Sequence, residues 1–383
     1  MHTSSDLVSP HDQRVTFVEL FFDLVFVFCV TQIVTLLHGH VDARSAGSAL
    51  LVFWLVWWAW TQYAWALNAA NTDHPRVQLT TLLATAVAFL LAVGIPRALG
   101  DDALWFAVPY VVVRVIGLLL YFWVAGTDSG QRRAVQVFGL FSVGGLIAVI
   151  VGAVLGGTAQ YVAWTLAIAL DLIAAGIGGR LEGWNLHPDH FVERHGLIVI
   201  VALGETLIVA ASGLVAAPPT PVATMTAILS VLVASGMWWG YFRHARPAFE
   251  HAMAACDGSR RSSLARDVFS VLHFPMLCGI IAMAAGTEQA LAHPDAPLAG
   301  DVRAALGGGV VLFITGSAVA MWRATGRFAL WRIALVPPAA AAIAAVGTAP
   351  AAAMGMLLAL VALVAALEHG RDSSHAGPPP RLT

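Results

Sequence analysis

Residues 134–156 read AVQVFGLFSVGGLIAVIVGAVLG, and no charged side chain interrupts this run. An α-helix needs about 20 consecutive, mainly apolar residues to cross the hydrocarbon core of a bilayer. No water is present there to bind free backbone groups, so the whole segment is expected to be helical. Arg132 and Arg133 precede the run, and Gly156 with Gly157 ends it. The stretch therefore predicts a membrane-spanning helix.

The same pattern recurs along the chain, and the composition agrees with it. Of the 383 residues, 59% are hydrophobic and 11% are charged, against about 45 to 50% and about 25% in soluble domains. This composition excludes a soluble enzyme and predicts an all-α, polytopic membrane protein with about twelve transmembrane helices. The predicted spans are 17–38, 48–70, 77–96, 103–125, 134–156, 159–181, 194–216, 222–244, 268–291, 303–322, 328–347 and 350–368.

The placement of arginine predicts the orientation of the chain. All 20 basic residues are arginines, and basic residues are retained on the cytoplasmic side of short loops. Sixteen of them flank spans on the side of the N-terminus, while Arg44, Arg97 and Arg303 lie on the other side and Arg114 lies inside a span. Both termini are therefore expected in the cytoplasm, and residues 245–267 are expected to form a basic cytoplasmic loop.

These spans divide the chain into five segments. They are a cytoplasmic N-terminal segment, a first six-helix half, a cytoplasmic connection with the HPDHFVE motif, a second six-helix half and a disordered tail, at residues 1–16, 17–181, 182–193, 194–368 and 369–383. Phe17-Val-Glu19 and Phe191-Val-Glu193 suggest a six-plus-six duplication, which would place the two glutamates opposite each other. Chance identity is the alternative.

Seven charged residues are predicted to lie inside or at the ends of spans. Each such group costs about 2.5 to 3.5 kcal/mol on the insertion scale, so its presence needs a partner or a function. Glu19 and Asp23 share one face of the first span, and Gln32 projects from the opposite face. The other charged groups are Arg114, Asp171, Glu193, Arg194 and Glu205. Glu193 and Arg194 share a face with His190 at the end of the HPDHFVE motif. Glu205 lies about 18 Å from Glu193 along the helix.

Two interpretations of these groups are open. In one, carboxylates and arginines pair with each other and lock helices together. In the other, the three carboxylates left without an arginine need a proton or a cation, which predicts a proton- or cation-linked transporter or channel for a small solute. In that pathway, which includes Gln32, the deep groups are Asp23, Asp171 and Glu205, the cytoplasmic gate is Glu19, His190, Glu193 and Arg194, and the counter-ion is Arg114.

A metal site is a further possibility, because imidazole and carboxylate groups bind zinc or manganese. The candidates are His187, His190, Glu193 and His195, whose spacing matches no established zinc motif. A metal would favour an intramembrane enzyme or processing factor, and a structural scaffold is the remaining class.

No nucleotide or cofactor motif is present, so no cofactor is expected and an enzyme is less favoured. With a net charge of -2, the expected partners are the lipid bilayer and a small solute or ion, and not nucleic acid. No oligomeric state is indicated.

Two motifs resemble those of a known family. Residues 14–28, RVTFVELFFDLVFVF, and 187–197, HPDHFVERHGL, together with Leu203-Gly204-Glu205, resemble the bacterial low temperature requirement protein A (LtrA) family. The resemblance covers essentially the whole chain and implies a multi-pass inner-membrane protein without an assigned molecular function, named for a growth phenotype in the cold. At His195 the family pattern leads us to expect a large apolar or aromatic residue. The positions carried over are Glu19, Asp23, His190, Glu193, Arg194 and Glu205.

Overall fold

The computed structural model describes residues 7–10, 13–37, 42–126, 128–181, 183–216, 220–327, 331, 334–346 and 348–375. Within these residues the protein is helical and contains no β-strand, apart from an isolated bridge between Val8 and Ala70. Eleven helices in this part of the chain are long and apolar enough to cross a membrane. The expected all-α, polytopic fold is therefore confirmed.

The α-helices are numbered in chain order. They are α1 (Phe17–Thr35), α2 (Ala43–Ala69), α3 (Pro75–Gly94), α4 (Leu104–Ala125), α5 (Ser129–Leu155), α6 (Gly157–Gly178), α7 (Pro188–Ala216), α8 (Pro221–Gly240), α9 (Arg246–Ala254), α10 (Gly258–Leu264), α11 (His273–Ala292), α12 (Gly300–Thr325), α13 (Val336–Val346) and α14 (Pro350–His375). A π-helical segment, Tyr241–Ala245, joins α8 to α9, and a second one, Ala265–Val271, follows α10.

The predicted loop at 245–267 is wrong. Most of these residues belong to α9 and α10, which extend the neighbouring spans in both directions. The basic composition of the stretch suggested a loop, but Phe249 and Met253 give α9 an apolar side that is fully buried. A charged segment can therefore be helical when one of its faces packs on the core.

Helix α7 begins at Pro188, well before the predicted start at residue 194. Proline is favoured in the first helical turn, because an N–H group at that position has no acceptor within the helix. Asp189 in the same turn stabilises the helix, since its negative charge lies near the positive end of the helix dipole. His190 and Glu193, which were predicted to lie in a connection, consequently lie on the same helix as Arg194.

The end of the chain differs from the prediction in two places. The predicted span 328–347 falls partly outside the described residues, and its described part contains the short helix α13. Helix α14 continues to His375, past the predicted start of the tail at 369. The other eleven predicted spans each correspond to one long apolar helix, while the orientation and the six-plus-six duplication stay predictions.

Helix α2 lies at the centre of the molecule and is the most buried of the eleven spans. It packs against α1, α4, α6, α7 and α11. The Trp57 indole N–H donates to the Ser270 carbonyl at 2.7 Å, and the Trp65 indole N–H donates to the Ser270 hydroxyl at 2.9 Å. These bonds attach α2 to the π-helical segment Ala265–Val271.

Helices α11 and α12 approach each other through glycine. A Cβ atom built on Gly309 would lie 2.5 Å from the Gly279 carbonyl oxygen, and a Cβ on Gly279 would lie equally close to the Gly309 oxygen. Small residues let membrane helices pack backbone to backbone, where van der Waals contact replaces the hydrophobic drive that lipid does not supply. Gly308, the preceding residue on α12, has open space at its Cβ position.

The adjacent glycines allow a matched test of this contact. Gly309→Ala is expected to destabilise the protein by about 1 to 3 kcal/mol, because the backbones must separate. Gly308→Ala is expected to be neutral or slightly stabilising, since alanine favours a helix over glycine. Thermal unfolding of both purified variants in detergent measures the difference, and equal unfolding temperatures would contradict the close contact.

Candidate functional site

Arg194 connects the two charged motifs of the sequence. Its Nη1 donates to Glu19 Oε1 at 3.0 Å and its Nη2 donates to Asp23 Oδ1 at 3.1 Å. Nη1 also donates to the Tyr63 carbonyl at 3.2 Å, and the guanidinium lies 5.7 Å from the centre of the Trp60 ring. All the charged side chains are buried. We call Glu19, Asp23, Trp60, Asn68, His190 and Arg194 the Arg194 cluster.

Glu19 is bound from three directions. Its Oε2 accepts hydrogen bonds from the backbone N–H and the hydroxyl of Thr16, both at 3.0 Å, which caps the start of α1. His190 Nε2 lies 3.0 and 3.1 Å from the two carboxylate oxygens. The predicted duplication would have placed Glu19 opposite Glu193, whereas the groups that contact Glu19 from α7 are His190 and Arg194.

Asn68, at the end of α2, determines which ring nitrogen of His190 carries the proton in the neutral ring. The His187 N–H donates to Asn68 Oδ1 at 2.8 Å, and Asn68 Nδ2 donates to the His187 carbonyl at 3.0 Å, so the orientation of the amide is fixed. The second Nδ2 hydrogen faces His190 Nδ1 at 2.9 Å. Because Nδ1 accepts, the neutral ring has its proton on Nε2 and donates it to Glu19.

With His190 in this tautomer, the Arg194 cluster contains two carboxylates and one guanidinium. Asp23 Oδ1 accepts from both Arg194 and the Trp60 indole N–H, the latter at 2.8 Å. Asp23 Oδ2 and Arg194 Nε are buried without a hydrogen-bond partner among the described residues. The cluster thus has one surplus negative charge, and Oδ2 is a carboxylate oxygen free to take a proton.

Glu205 lies on the same pair of helices, beyond the Arg194 cluster. It is 1% exposed, and its Oε2 is 2.6 Å from the Thr31 hydroxyl of α1. The same hydroxyl lies 3.3 Å from the Val27 carbonyl. Thr31 can therefore donate to an ionised Glu205, or donate to Val27 and accept from a protonated Glu205. Among the described residues, no arginine or histidine forms an ion pair with Glu205.

Arg114 forms a second buried cluster in which every donor is used. Its Nη groups bind both oxygens of Asp171 at 2.9 and 3.1 Å, and also the Tyr110 hydroxyl at 2.8 Å and the Ser142 hydroxyl at 3.1 Å. Its Nε donates to Gln62 Oε1. The five residues come from α2, α4, α5 and α6. The geometry makes Arg114 the counter-ion of Asp171 and favours a helix-locking role for this pair.

Besides Glu205, two predicted pathway residues lie outside both clusters. Gln32 and Glu193 are half-buried, and no described residue forms a hydrogen bond or ion pair with either side-chain head group. Of the nine predicted pathway residues, the two clusters therefore contain six, Glu205 contacts Thr31, and Gln32 and Glu193 are left apart.

The four metal candidates are not assembled into a site. Within the described residues, no group of three or more His, Cys, Asp or Glu side chains is arranged to hold a metal ion. His190 is occupied by Asn68 and Glu19, while His195 Nδ1 donates to the Phe191 carbonyl at 2.8 Å. The His195 ring packs against Trp60 and Phe269, each with ring centres 5.0 Å apart. His195 thus lies among aromatic rings, an environment that would also suit the large apolar or aromatic residue expected at this position.

Sequence reasoning missed several polar partners of the charged groups. These are Thr31, Trp60, Gln62, Asn68, Tyr110 and Ser142. An available signal was the presence of amide side chains in an apolar span, since Asn and Gln in membrane helices seek partners on other helices. No comparable signal distinguishes Trp60 from the other tryptophans of α2.

The Arg114 cluster predicts strong coupling between its two charged members. Asp171→Asn alone is expected to cost about 3 to 5 kcal/mol of stability, because it leaves the guanidinium buried without its counter-charge. Combining it with Arg114→Gln is expected to recover part of this loss. Unfolding of the single and double variants in detergent tests the coupling, and losses that simply add would refute it.

Comparison with known proteins identifies the family of the chain. The family model described as bacterial low temperature requirement A protein (LtrA) matches residues 14–367, which include both clusters. An uncharacterized protein of Rhizobium meliloti (strain 1021) is 27% identical over 319 residues, covering 81% of this chain and 76% of that protein. No solved structure matches the chain. With the family model spanning nearly all of its helices, the chain belongs to the bacterial low temperature requirement A (LtrA) family.

Proposed function

We propose that the protein is an inner-membrane transporter or channel that moves a small solute or ion together with protons or cations. The proposal rests on one observation, the buried oxygen Asp23 Oδ2, which has no hydrogen-bond partner among the described residues and belongs to a cluster with a surplus negative charge. Two carboxylates that share one guanidinium in a low-dielectric environment leave one negative charge that needs a proton or a cation to be stable. Asp23 is therefore the group that gains and loses charge.

Glu205 supplies a second position for the same proton or cation. Asp23 and Thr31 are eight residues apart on α1, which separates them by about 12 Å along the helix axis. Phe26 and Val30 are buried on α1 between them. Transfer between Asp23 and Glu205 accordingly requires water to enter or α1 and α7 to move, which is the kind of step that gates a transport pathway.

Glu19, His190 and Arg194 determine the contacts of Asp23 before it takes a proton. His190 donates to Glu19 and so leaves the guanidinium to be shared by both carboxylates. When Asp23 takes a proton, its attraction for Arg194 falls and the guanidinium pairs with Glu19 alone. A change in charge at one atom is in this way converted into a change in the contact between α1 and α7.

Ion flux through proteoliposomes tests the proposal. A membrane potential imposed with potassium and valinomycin is expected to drive proton uptake, followed with an entrapped pH-sensitive dye. Asp23→Asn and Glu205→Gln are expected to lose most of this flux, while Glu193→Gln, which makes the same type of change on α7 outside the cluster, is expected to keep it. The same series is repeated with a sodium gradient.

Wild-type flux in Asp23→Asn and Glu205→Gln would exclude the proposed pathway. If those variants lost thermal stability and wild-type vesicles showed no ion flux, the carboxylates would have a structural role and the protein would be a scaffold.

Infrared spectroscopy examines the two carboxyl groups without a transported solute. Protonated carboxylic acids give a C=O band separate from that of carboxylates, and buried ones resist exchange with solvent. The wild-type spectrum is expected to contain such bands, and Asp23→Asn and Glu205→Gln are each expected to remove one. Asp171→Asn should leave these bands in place, because both Asp171 oxygens are bound by Arg114. Loss of no band in either variant would contradict the assignment.

A further inference from the structure

Three groups of the Arg194 cluster could hold the proton that neutralises its surplus negative charge. They are the carboxylates of Glu19 and Asp23 and the ring nitrogen Nδ1 of His190, since Nε2 of that ring already has its proton. A buried proton is most stable where it displaces no existing hydrogen bond, because each lost bond leaves a polar group unpaired. The contacts of the three groups therefore decide between them.

Both oxygens of Glu19 are already bound. Oε1 lies 3.0 Å from Arg194 Nη1 and 3.0 Å from His190 Nε2. Oε2 accepts from the backbone N–H and the hydroxyl of Thr16, both at 3.0 Å. A proton on either oxygen would displace a donor and weaken the ion pair with Arg194. Glu19 is therefore expected to keep its negative charge.

Asn68 excludes the proton from His190. Both backbone groups of His187 hold the Asn68 amide, because Oδ1 accepts at 2.8 Å and Nδ2 donates at 3.0 Å. Turning the amide over would place two donors together at one end and two acceptors together at the other. The Asn68 N–H therefore continues to face His190 Nδ1 at 2.9 Å, where a second ring proton would meet a donor. Asn68 and His190 are 0% and 1% exposed, so bulk solvent offers no other acceptor.

Charged groups of both signs surround the start of α7. They are Asp189, Glu193 and Arg194 on α7 itself, Glu19 on α1, and Arg261 on α10, whose guanidinium donates to the Leu186 carbonyl at 3.3 Å. The carboxylates favour a second proton on the ring, whereas the two arginines and the positive end of the helix dipole oppose it. Because these effects act in opposite directions, the hydrogen bond from Asn68 decides the state of His190.

Asp23 is the remaining place for the proton. Its Oδ1 accepts from Arg194 and from Trp60, while no described residue donates to Oδ2. A proton on Oδ2 therefore displaces no hydrogen bond. A metal cation would need several oxygen ligands at once, whereas a proton needs only the oxygen that is open here.

We infer that Asn68 is a positioning residue: by keeping a second proton off His190, it places the proton of the Arg194 cluster on Asp23. The inference rests on the proposed function and adds the direction of its response. A proton on His190 would make the ring positive and strengthen its contact with Glu19, which holds α7 to α1. A proton on Asp23 weakens the pairing with Arg194 and loosens the same two helices. Asn68, on a third helix, selects the second response.

Magnetic resonance and infrared spectra locate the proton in the wild-type protein. Full-length protein with isotope-labelled histidine and asparagine is placed in lipid bilayers, and the His190 signals are assigned by their loss in His190→Gln. Nδ1 is expected to be unprotonated and to show coupling to the Asn68 side-chain nitrogen through the hydrogen bond. As the pH is lowered, the infrared C=O band of Asp23 is expected to appear before the second ring proton of His190. The reverse order would overturn the inference.

Two substitutions of Asn68 are expected to change the ring in different ways. Asn68→Asp keeps the shape and presents an acceptor to Nδ1, so His190 is expected to carry both ring protons; the two new charges offset each other, and the Asp23 band is retained. Asn68→Ala leaves room for water, which can accept from Nδ1–H. The proton is then expected on His190, and the Asp23 band is expected to lose most of its intensity.

Asn71→Ala is the matched control, because Asn71 follows the same helix but its side chain accepts from the Asp73 N–H, outside the cluster. It is expected to keep the wild-type ring and the wild-type Asp23 band. If Asn68 only holds α2 to α7, both Asn68 variants lower the unfolding temperature but leave the His190 ring and the Asp23 band unchanged, which overturns the inference.

The proton flux assay separates this role of Asn68 from the proposed function. A doubly protonated His190 ring in the wild type, at the pH of the flux assay, contradicts the role of Asn68 even where flux is normal. Missing flux in the wild type, together with the expected spectra, contradicts transport and supports the place of the proton.

Discussion

A single guanidinium group allows two carboxylates to lie one helical turn apart inside a membrane-spanning helix. Glu19 and Asp23 would repel each other on α1, and Arg194 from α7 is shared between them. This arrangement also requires α2 to lie alongside, because Trp60 donates to Asp23 and Asn68 orients His190. The positions of α1, α2 and α7 are thus determined together by the need to satisfy charge where no water is available.

Arg114 and Arg194, both buried, show how a structural charge differs from one that can change. Arg114 uses every N–H group, and both oxygens of Asp171 are bound to it, so neither residue can alter its charge without losing several contacts at once. In the Arg194 cluster, Arg194 Nε and Asp23 Oδ2 are left without described partners. A buried group of this second kind has a place for a proton, which is why the proposed function is built on Asp23 and not on Asp171.

The fold could be predicted from the sequence to the extent that the bilayer imposes it. Helix length and apolar composition follow from the thickness of the hydrocarbon core, so eleven of the predicted spans correspond to helices. The helical period also placed Glu19 and Asp23 on one face. The surplus of carboxylates could be counted in the sequence, but the partner of each one could not, because helical spacing gives the face of a residue and not the helix that packs against it.

The errors have the same origin. Residues 245–267 were expected to be a loop because of their charge, while the buried Phe249 and Met253 show that tertiary packing outweighs average polarity there. The four metal candidates are close in sequence, yet His190 and His195 have unrelated surroundings. Thr31 gave no signal at all, since a threonine in an apolar span normally bonds to its own helix, and its contact with Glu205 depends on how α1 and α7 meet.

The burial of α2 has a consequence for how the chain is made. α2 is the least apolar of the eleven spans and the most completely enclosed by protein, so lipid alone holds it weakly during synthesis. Its tryptophan and asparagine groups bind residues of α7 and of Ala265–Val271, which leave the ribosome long after α2 itself. The second transmembrane helix therefore reaches its final environment only after α7 and Ala265–Val271 have been made.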